Sequence, residues 1–385
     1  MLFTTAAAAF LALTASTSEA FSIPSSRTNN VRSAQTPLQM SYLDSLTGAK
    51  PLTFSVNGGS SSSSPPPSTF GELLSGDDIN DICAFNAASL DIQSTISSNG
   101  GITAQQIQDS IRKANEVVSI IRQHFPGAMG SSEILERVKR VLEVYGADNI
   151  LLTQSVCPDE INHEHGDITD LFIENIGGGK VFHLGGLAGV PFTGKTGFGA
   201  YSAHVADGGH AFVLQAPHIG MSNDLDLGKY SREGQDHAGS ACGAAVGAMC
   251  HCMAGNPMPN LATATDDWQM NYLIQEIGKR MPALDSCAEG NEKQAELARQ
   301  THQIGKDMLE QCLSTNFGDA NSMLFVMTGI QINMPFEFED YFQPLSFEVR
   351  KKDGSVTDLY QEAFGTWLCL TRHVGYWLIA SERSE

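Results

Sequence analysis

Residues 150–160 read ILLTQSVCPDE. The first seven, Ile150 to Val156, form a largely apolar run of strand length, the pattern of a strand buried on both faces in a parallel sheet. Two helical patterns precede it. Between Thr103 and Phe125, Ile107, Ile111, Val117, Ile120 and Ile121 recur at helical spacing, and FPGAMG at 125–130 ends the run. From about Ser132 to Tyr145, Ile134, Leu135, Val138, Val141, Leu142 and Val144 make a broad apolar stripe. Two amphipathic helices followed by a doubly buried strand predict an α/β fold with N-terminal helices.

Beyond this segment the pattern continues. Strands are expected at 180–184 and 211–216, separated by a glycine-rich stretch from Gly185 to Gly209. Helices are expected over about 241–254, 266–281 and 289–314, then a strand over 322–333. A C-terminal hairpin is expected over 347–359, turning at Lys352-Asp353-Gly354-Ser355. Toward the N-terminus, GSSSSSPPPS at 59–68 cannot bury apolar surface, so 41–68 reads as a linker and 69–385 as one folded domain. Residues 5–13, TAAAAFLAL, are too short to span a bilayer and read as the core of a signal peptide over 1–20. Residues 21–40, FSIPSSRTNNVRSAQTPLQM, hold two Arg and no acid, the composition of a transit segment. Together they resemble the bipartite presequence of proteins sent to plastids bounded by extra membranes. Stroma, pyrenoid and thylakoid lumen are all open as the destination, and no stable membrane insertion is expected.

The 385 residues are 42% hydrophobic, enough for a real core. Acidic residues outnumber basic ones 43 to 23, for a formal charge of -20 that disfavours nucleic acid as a partner. Eight cysteines without a CxxC pair are too few for a disulfide framework.

The chemistry is concentrated between 157 and 242. Cys157-Pro158-Asp159-Glu160 follows the first strand directly, and open α/β sheets build sites at the carboxyl ends of their strands. The strand at 211–216 ends in Pro217-His218, which brings an imidazole to the same edge if the two strands run parallel. Cys242 opens an Ala-rich helix, where the dipole favours a thiolate. Two thiolates and an imidazole with a fourth position open to water are the donor set of a catalytic zinc site. Taken alone, each residue is equally read as ordinary packing.

Cys157-x-Asp159 with a later His and Cys-Gly-Ala resembles the zinc site of β-type carbonic anhydrases. Ile161 stands where that family has Arg, and His218 and Cys242 are far apart in the chain. With those departures, the segments CPDEIN (157–162), HLGGLAGVPFTGKTGFGA (183–200), YSAHVADGGHAF (201–212), REGQ (232–235) and SACGAA (240–245) resemble the limiting-CO2-inducible protein B/C family, related to the θ-class carbonic anhydrases. The resemblance implies a β-carbonic-anhydrase-like sheet flanked by helices, a homodimer, and Zn2+ held by Cys157, His218 and Cys242. It further implies reversible hydration of CO2 to bicarbonate in a plastid CO2-concentrating mechanism, or a non-catalytic, regulatory zinc-binding member of the same fold. An Asp–Arg pair belongs beside the metal; Asp159 matches the Asp, and Arg232 is the expected Arg, with a solvated surface charge as its other reading. Product release needs a proton shuttle of near-neutral pKa, for which His204 and then His210 are the candidates. Phe192, Phe198 and Tyr201 are candidate walls of a CO2 pocket, or plain core.

Three further motifs are set aside. Gly189 to Thr196 satisfies the P-loop pattern of nucleotide hydrolases. Gly197-Phe198-Gly199 after it is poor helix material, and no strand ending in an Asp for magnesium accompanies it. His163-Glu164-His165 reads as a solvated polar loop. Cys250-His251-Cys252 reads as one packing cysteine and an exposed neighbour, and Cys83, Cys287, Cys312 and Cys369 as packing.

Overall fold

The computed structural model describes residues 104–365, apart from 165, 264, 265, 336 and 337. The signal, transit and linker segments, the start of the expected domain, Cys83 and Cys369 lie outside the described residues. In chain order the elements begin with α1 (Ala104–His124), β1 (Met129–Gly130), α2 (Ser131–Val144), β2 (Ile150–Val156) and α3 (Ile168–Asn175). Next come β3 (Phe182–His183), α4 (Gly194–Ser202), β4 (His210–Ala216), β5 (His218–Gly220), β6 (Lys229–Tyr230) and β7 (Gly239–Ser240). The chain continues through α5 (Gly243–Met253), α6 (Trp268–Asp285), α7 (Asn291–Cys312), β8 (Leu324–Asn333), β9 (Tyr341–Arg350), β10 (Val356–Asp358) and α8 (Tyr360–Phe364).

One sheet runs in the order β1-β9-β8-β4-β2-β3, with β10 added to β9 and β5 to β8. The pairs β2/β3, β2/β4, β4/β8 and β5/β8 are parallel, and β1, β9 and β10 extend the sheet antiparallel. Every residue of β4 and β8 is buried, in keeping with mostly apolar strands covered on both sides. Leu152, Phe212, Phe325 and Phe347 project to one face and pack with Ile134 and Val138 of α2 and Phe172 of α3. Val213 and Val326 project to the other and pack with Phe198 and Tyr201 of α4 and Leu309 of α7. Helix α1 buries Val117 and Ile121 against Ala295 and Ala298 of α7.

Several expectations are corrected. Gly197-Phe198-Gly199 does form helix, because Phe198 and Tyr201, 1% and 0% exposed, gain more from burial on the sheet than the glycines lose in propensity. The strand expected at 180–184 shrinks to Phe182–His183, the helix expected to end at 281 continues through Pro282 to Asp285, and the hairpin's first strand starts at Tyr341. Val144, counted in the apolar stripe of α2, is 73% exposed at that helix's last position. The Tyr201 hydroxyl donates to the Leu151 carbonyl at 2.6 Å and accepts from the Phe212 N–H at 3.0 Å. Tyr201→Phe strands both partners in the core, so denaturant unfolding is expected to show a loss of roughly 1–3 kcal/mol.

Candidate metal centre

Strands β2 and β4 are parallel and in register to their last residues, Val156 opposite Ala216, so Cys157 and Pro217 leave the sheet side by side. The chain shifts at Pro217, and His218 starts β5, paired with Gln331 of β8. Cys242 is the N-cap of α5, where the nearby backbone N–H groups of Ala244 and Ala245 favour its thiolate. The loop from Gly185 to Val190 packs down on these strand ends. A Cβ at Gly185 would stand 2.4 Å from the Val156 carbonyl, and one at Gly189, where φ is +72°, 2.2 Å from that of Ala216.

The result is a cluster in which the donor atoms of Cys157, His218 and Cys242, all buried, lie within 4.8 Å of one another. The two sulfurs are 3.7 Å apart. Two thiolates about 2.3 Å from a tetrahedral zinc stand about 3.8 Å from each other, so the pair fits that ion without movement. Nε2 of His218 is buried and has no hydrogen-bond partner. Nδ1 lies 2.9 Å from Oδ1 of Asn333. A proton shared with Cys242 holds Cys157 far below the ordinary thiol range and pushes Cys242 above it, the arrangement of a thiol pair that a divalent cation could bridge in place of the proton.

Asp159 stands at the mouth. Its Oδ2 is 3.7 Å from Nε2 of His218, and its Oδ1 accepts from Nη2 of Arg232 at 2.9 Å. Arg232 also donates from Nε to Glu160 at 2.6 Å and lies 5.8 Å from the centre of the Tyr230 ring. Burial and neighbouring Glu160 raise the Asp159 carboxyl, while His218 and Arg232 oppose the rise. Glu160 itself is held down to about 2 by its hydrogen bond from Arg232. Ile161, in the position the β-type motif gives to Arg, is 2% exposed and contributes its carbonyl, which accepts from Nδ2 of Asn333.

The other candidate residues are placed as follows. Phe192 belongs to the same apolar cluster as Cys157, Cys242, Ala188 and Val190, whereas Phe198 and Tyr201 lie in the separate cluster beneath α4. His210 opens β4, eight positions of extended chain before His218, a span of about 26 Å. Its Nδ1 accepts from the Met323 N–H, which makes it a structural residue of the far sheet edge. The His204 ring packs 6.2 Å from Phe182. Neither histidine joins the Cys157–His218–Cys242 cluster. The imidazole that is beside it comes from the loop read as merely solvated: His163 is hydrogen-bonded to the backbone of Cys157, and burial and nearby His183 lower its pKa. The P-loop look-alike packs Gly189 against the end of β4 and buries Val190, and it leads into helix α4 at Gly194. Cys250 is exposed and Cys252 donates to the Ile274 carbonyl at 3.6 Å.

Behind His218 lies a polar layer that the sequence reading passed over. Nδ2 of Asn333 donates at 2.8 Å both to the Ile161 carbonyl and to Oδ2 of Asp340, and Oδ1 of Asp340 accepts from the Met334 N–H at 2.7 Å. Asp340 is hydrogen-bonded in turn to Asp167. Its signal in the sequence is Asn333, a polar side chain at an otherwise largely apolar strand end, where a buried amide calls for partners.

Asp167, 6% exposed, is pushed up to about 7 by burial, with the charges of Glu164 and Asp170 adding to the rise and its hydrogen bond with Asp340 opposing it. A carboxyl raised in the folded state stabilises the fold fully below its unfolded pKa, near 3.8, and loses that contribution as pH rises toward 7. Urea unfolding at pH 5 and pH 8 is therefore expected to show wild type losing roughly 2–4 kcal/mol more than Asp167→Asn, which keeps an oxygen to accept from Asp340 and cannot ionise.

Residues 128–351 match a family model described as limiting CO2-inducible proteins B/C β-carbonic anhydrases. Among solved structures, that of PtLCIB4, a homolog of the limiting CO2-inducible protein LCIB, is 30% identical with a TM-score of 0.56, covering 63% of this chain and 98% of that one. Two single-residue mutants of PtLCIB4 are 28% and 27% identical, with TM-scores of 0.56 and 0.52, over 63% of this chain and 97% and 98% of theirs. No curated protein matches the chain.

Proposed function

The chain belongs to the limiting CO2-inducible protein B/C family, and from that membership we propose that it is a zinc-dependent carbonic anhydrase interconverting CO2 and bicarbonate. The observation that carries the reading is the buried Cys157–His218–Cys242 cluster, with its sulfurs at tetrahedral spacing and Nε2 of His218 without a hydrogen-bond partner.

Cys157, His218 and Cys242 would hold the metal, and when bound it supplies Lewis acidity that makes water a nucleophile toward CO2 near neutral pH. Two thiolates cancel the formal charge of the ion, so the remaining activation falls to Asp159. Its Oδ1 is occupied by Arg232, leaving Oδ2 to accept a hydrogen bond from the attacking water and fix the direction of its lone pair. Arg232, braced by Glu160 and Tyr230, keeps the carboxylate from rotating onto the ligands. Ala188, Val190 and Phe192 give the site an apolar wall suited to CO2 and hostile to bulk water.

The presequence pattern supports plastid import and the family resemblance supports a homodimer; both are part of this proposal. Among the described residues no helix is long and apolar enough to cross a membrane. Metal analysis and stopped-flow CO2 hydration test the reading together. Stoichiometric zinc with turnover that stops on chelation is the expected result. Zinc without turnover would favour a regulatory role, and absence of zinc from protein refolded with it would end the proposal.

A further inference from the structure

Asn333 is held by three groups at once. Both hydrogens of its amide nitrogen face acceptors, the Ile161 carbonyl and Oδ2 of Asp340, each at 2.8 Å. Its oxygen therefore faces Nδ1 of His218 at 2.9 Å, and an oxygen there requires the imidazole to carry its proton on Nδ1. That tautomer leaves the lone pair on Nε2, the ring nitrogen that is buried without a hydrogen-bond partner. Turning the amide over would set its oxygen against the Ile161 carbonyl oxygen and Oδ2 of Asp340. It would also place N–H groups against Nδ1, favouring the tautomer whose Nε2 is blocked by hydrogen.

From this geometry we infer that Asp340 is a positioning residue for the metal site: acting only through Asn333, it excludes the amide orientation that would present His218 in its non-ligating tautomer. The inference rests on the reading of His218 as a metal ligand. Asp340 is suited to the task because it is itself pinned. Its Oδ1 accepts from the Met334 N–H, and its hydrogen bond to Asp167 holds it from α3, so it cannot follow Asn333 if the amide turns. Asp340 touches none of the three ligands, and it lies 122 positions from His218 in the chain, beyond the strand that ends in Asn333.

A ligand that binds one of two interconverting forms loses apparent affinity in proportion to the population of the other. Removing Asp340 deletes one of the two penalties on the turned amide, so zinc must then compete with the blocked tautomer. Changes at groups that orient metal ligands typically weaken binding about 10- to 100-fold, and that loss is expected for Asp340→Ala. Asn333→Ala is expected to lose at least as much. The decisive variant is the double replacement: if Asp340 works through Asn333, it has nothing left to orient once Asn333 is gone, and the double variant binds zinc as Asn333→Ala does.

The experiment is competition of the full chain and these three variants against a chromophoric zinc chelator at pH 8, with thermal unfolding of each metal-free form alongside. Unchanged zinc affinity in Asp340→Ala overturns the inference, and so does a double variant whose loss is the product of the two single losses. A fall in unfolding temperature with affinity intact is also contrary, since it leaves Asp340 a purely structural role. Should Asp340→Ala fail to fold, Asp340→Ser replaces it, keeping a polar group near Met334 but too short to reach Asn333; failure of both to fold makes Asp340 a folding residue and likewise overturns the assignment. Wild type that binds no zinc is a different result, for it removes the metal reading itself.

Discussion

His218→Ala is expected to yield a folded chain that retains no zinc after dialysis and hydrates CO2 at the rate of buffer. The imidazole is one of three protein donors, 3% exposed, and no other side chain among the described residues completes a comparable cluster. Zinc held by several deprotonated donors is bound by roughly 10–16 kcal/mol in small structural sites, so losing one donor of three is expected to weaken it about a thousandfold or more. The fold should survive at a cost, because the variant leaves Oδ1 of Asn333 without its partner, a penalty of about 1–3 kcal/mol. Cys157→Ser and Cys242→Ser are expected to follow the same course. Elemental analysis reads the metal and stopped-flow hydration reads the rate; wild-type turnover in the His218 variant would remove the cluster from the mechanism.

The second large effect separates metal binding from activation. Asp159→Asn is expected to keep its zinc and lose about 10²–10³ in turnover, the usual scale for a hydrogen-bonding group aimed at the reacting atom. Arg232→Ala is expected to lose a similar amount, with a further signature in the pH profile. Arg232 lowers the Asp159 pKa, so its removal lets burial push that carboxyl higher, and the acid limb of the rate profile moves to higher pH. Glu160→Gln is expected to be mild, since Glu160 is 70% exposed and Arg232 keeps its bond to Asp159. An Asp159→Asn variant at full speed, or an acid limb unmoved in Arg232→Ala, would deny the pair its role.

What was legible in the sequence follows from range. The strand Ile150–Val156 has the bounds that its apolar run predicts, and the long helices are found near their periodic patterns, because those signals are carried by neighbouring residues. Helix α4 was missed because its glycines argue locally against it, whereas its support comes from burying Phe198 and Tyr201 across the sheet. Strands of two residues, such as β3, have no room for a pattern. At the site, Cys157, His218 and Cys242 stand out because thiols and an imidazole next to strand ends and a helix start are chemically conspicuous. The groups that orient them are not, since Asn333 meets His218 across 115 positions and Ile161 across 172. Nor does composition separate His163, hydrogen-bonded at Cys157, from His210 at the far edge of the sheet.

The seating of His218 on a strand made so late has a consequence for biosynthesis. All three donors have been synthesised by residue 242, yet β5 is paired with β8, which ends at Asn333. A nascent chain thus carries two thiols and an imidazole for about ninety residues before the strand that aligns them exists, a gap on the order of 5–20 s at ordinary elongation rates. Metal meeting the chain before β8 is in place would find loose side chains, and loading in the folded geometry would have to wait until β5 has paired with that strand.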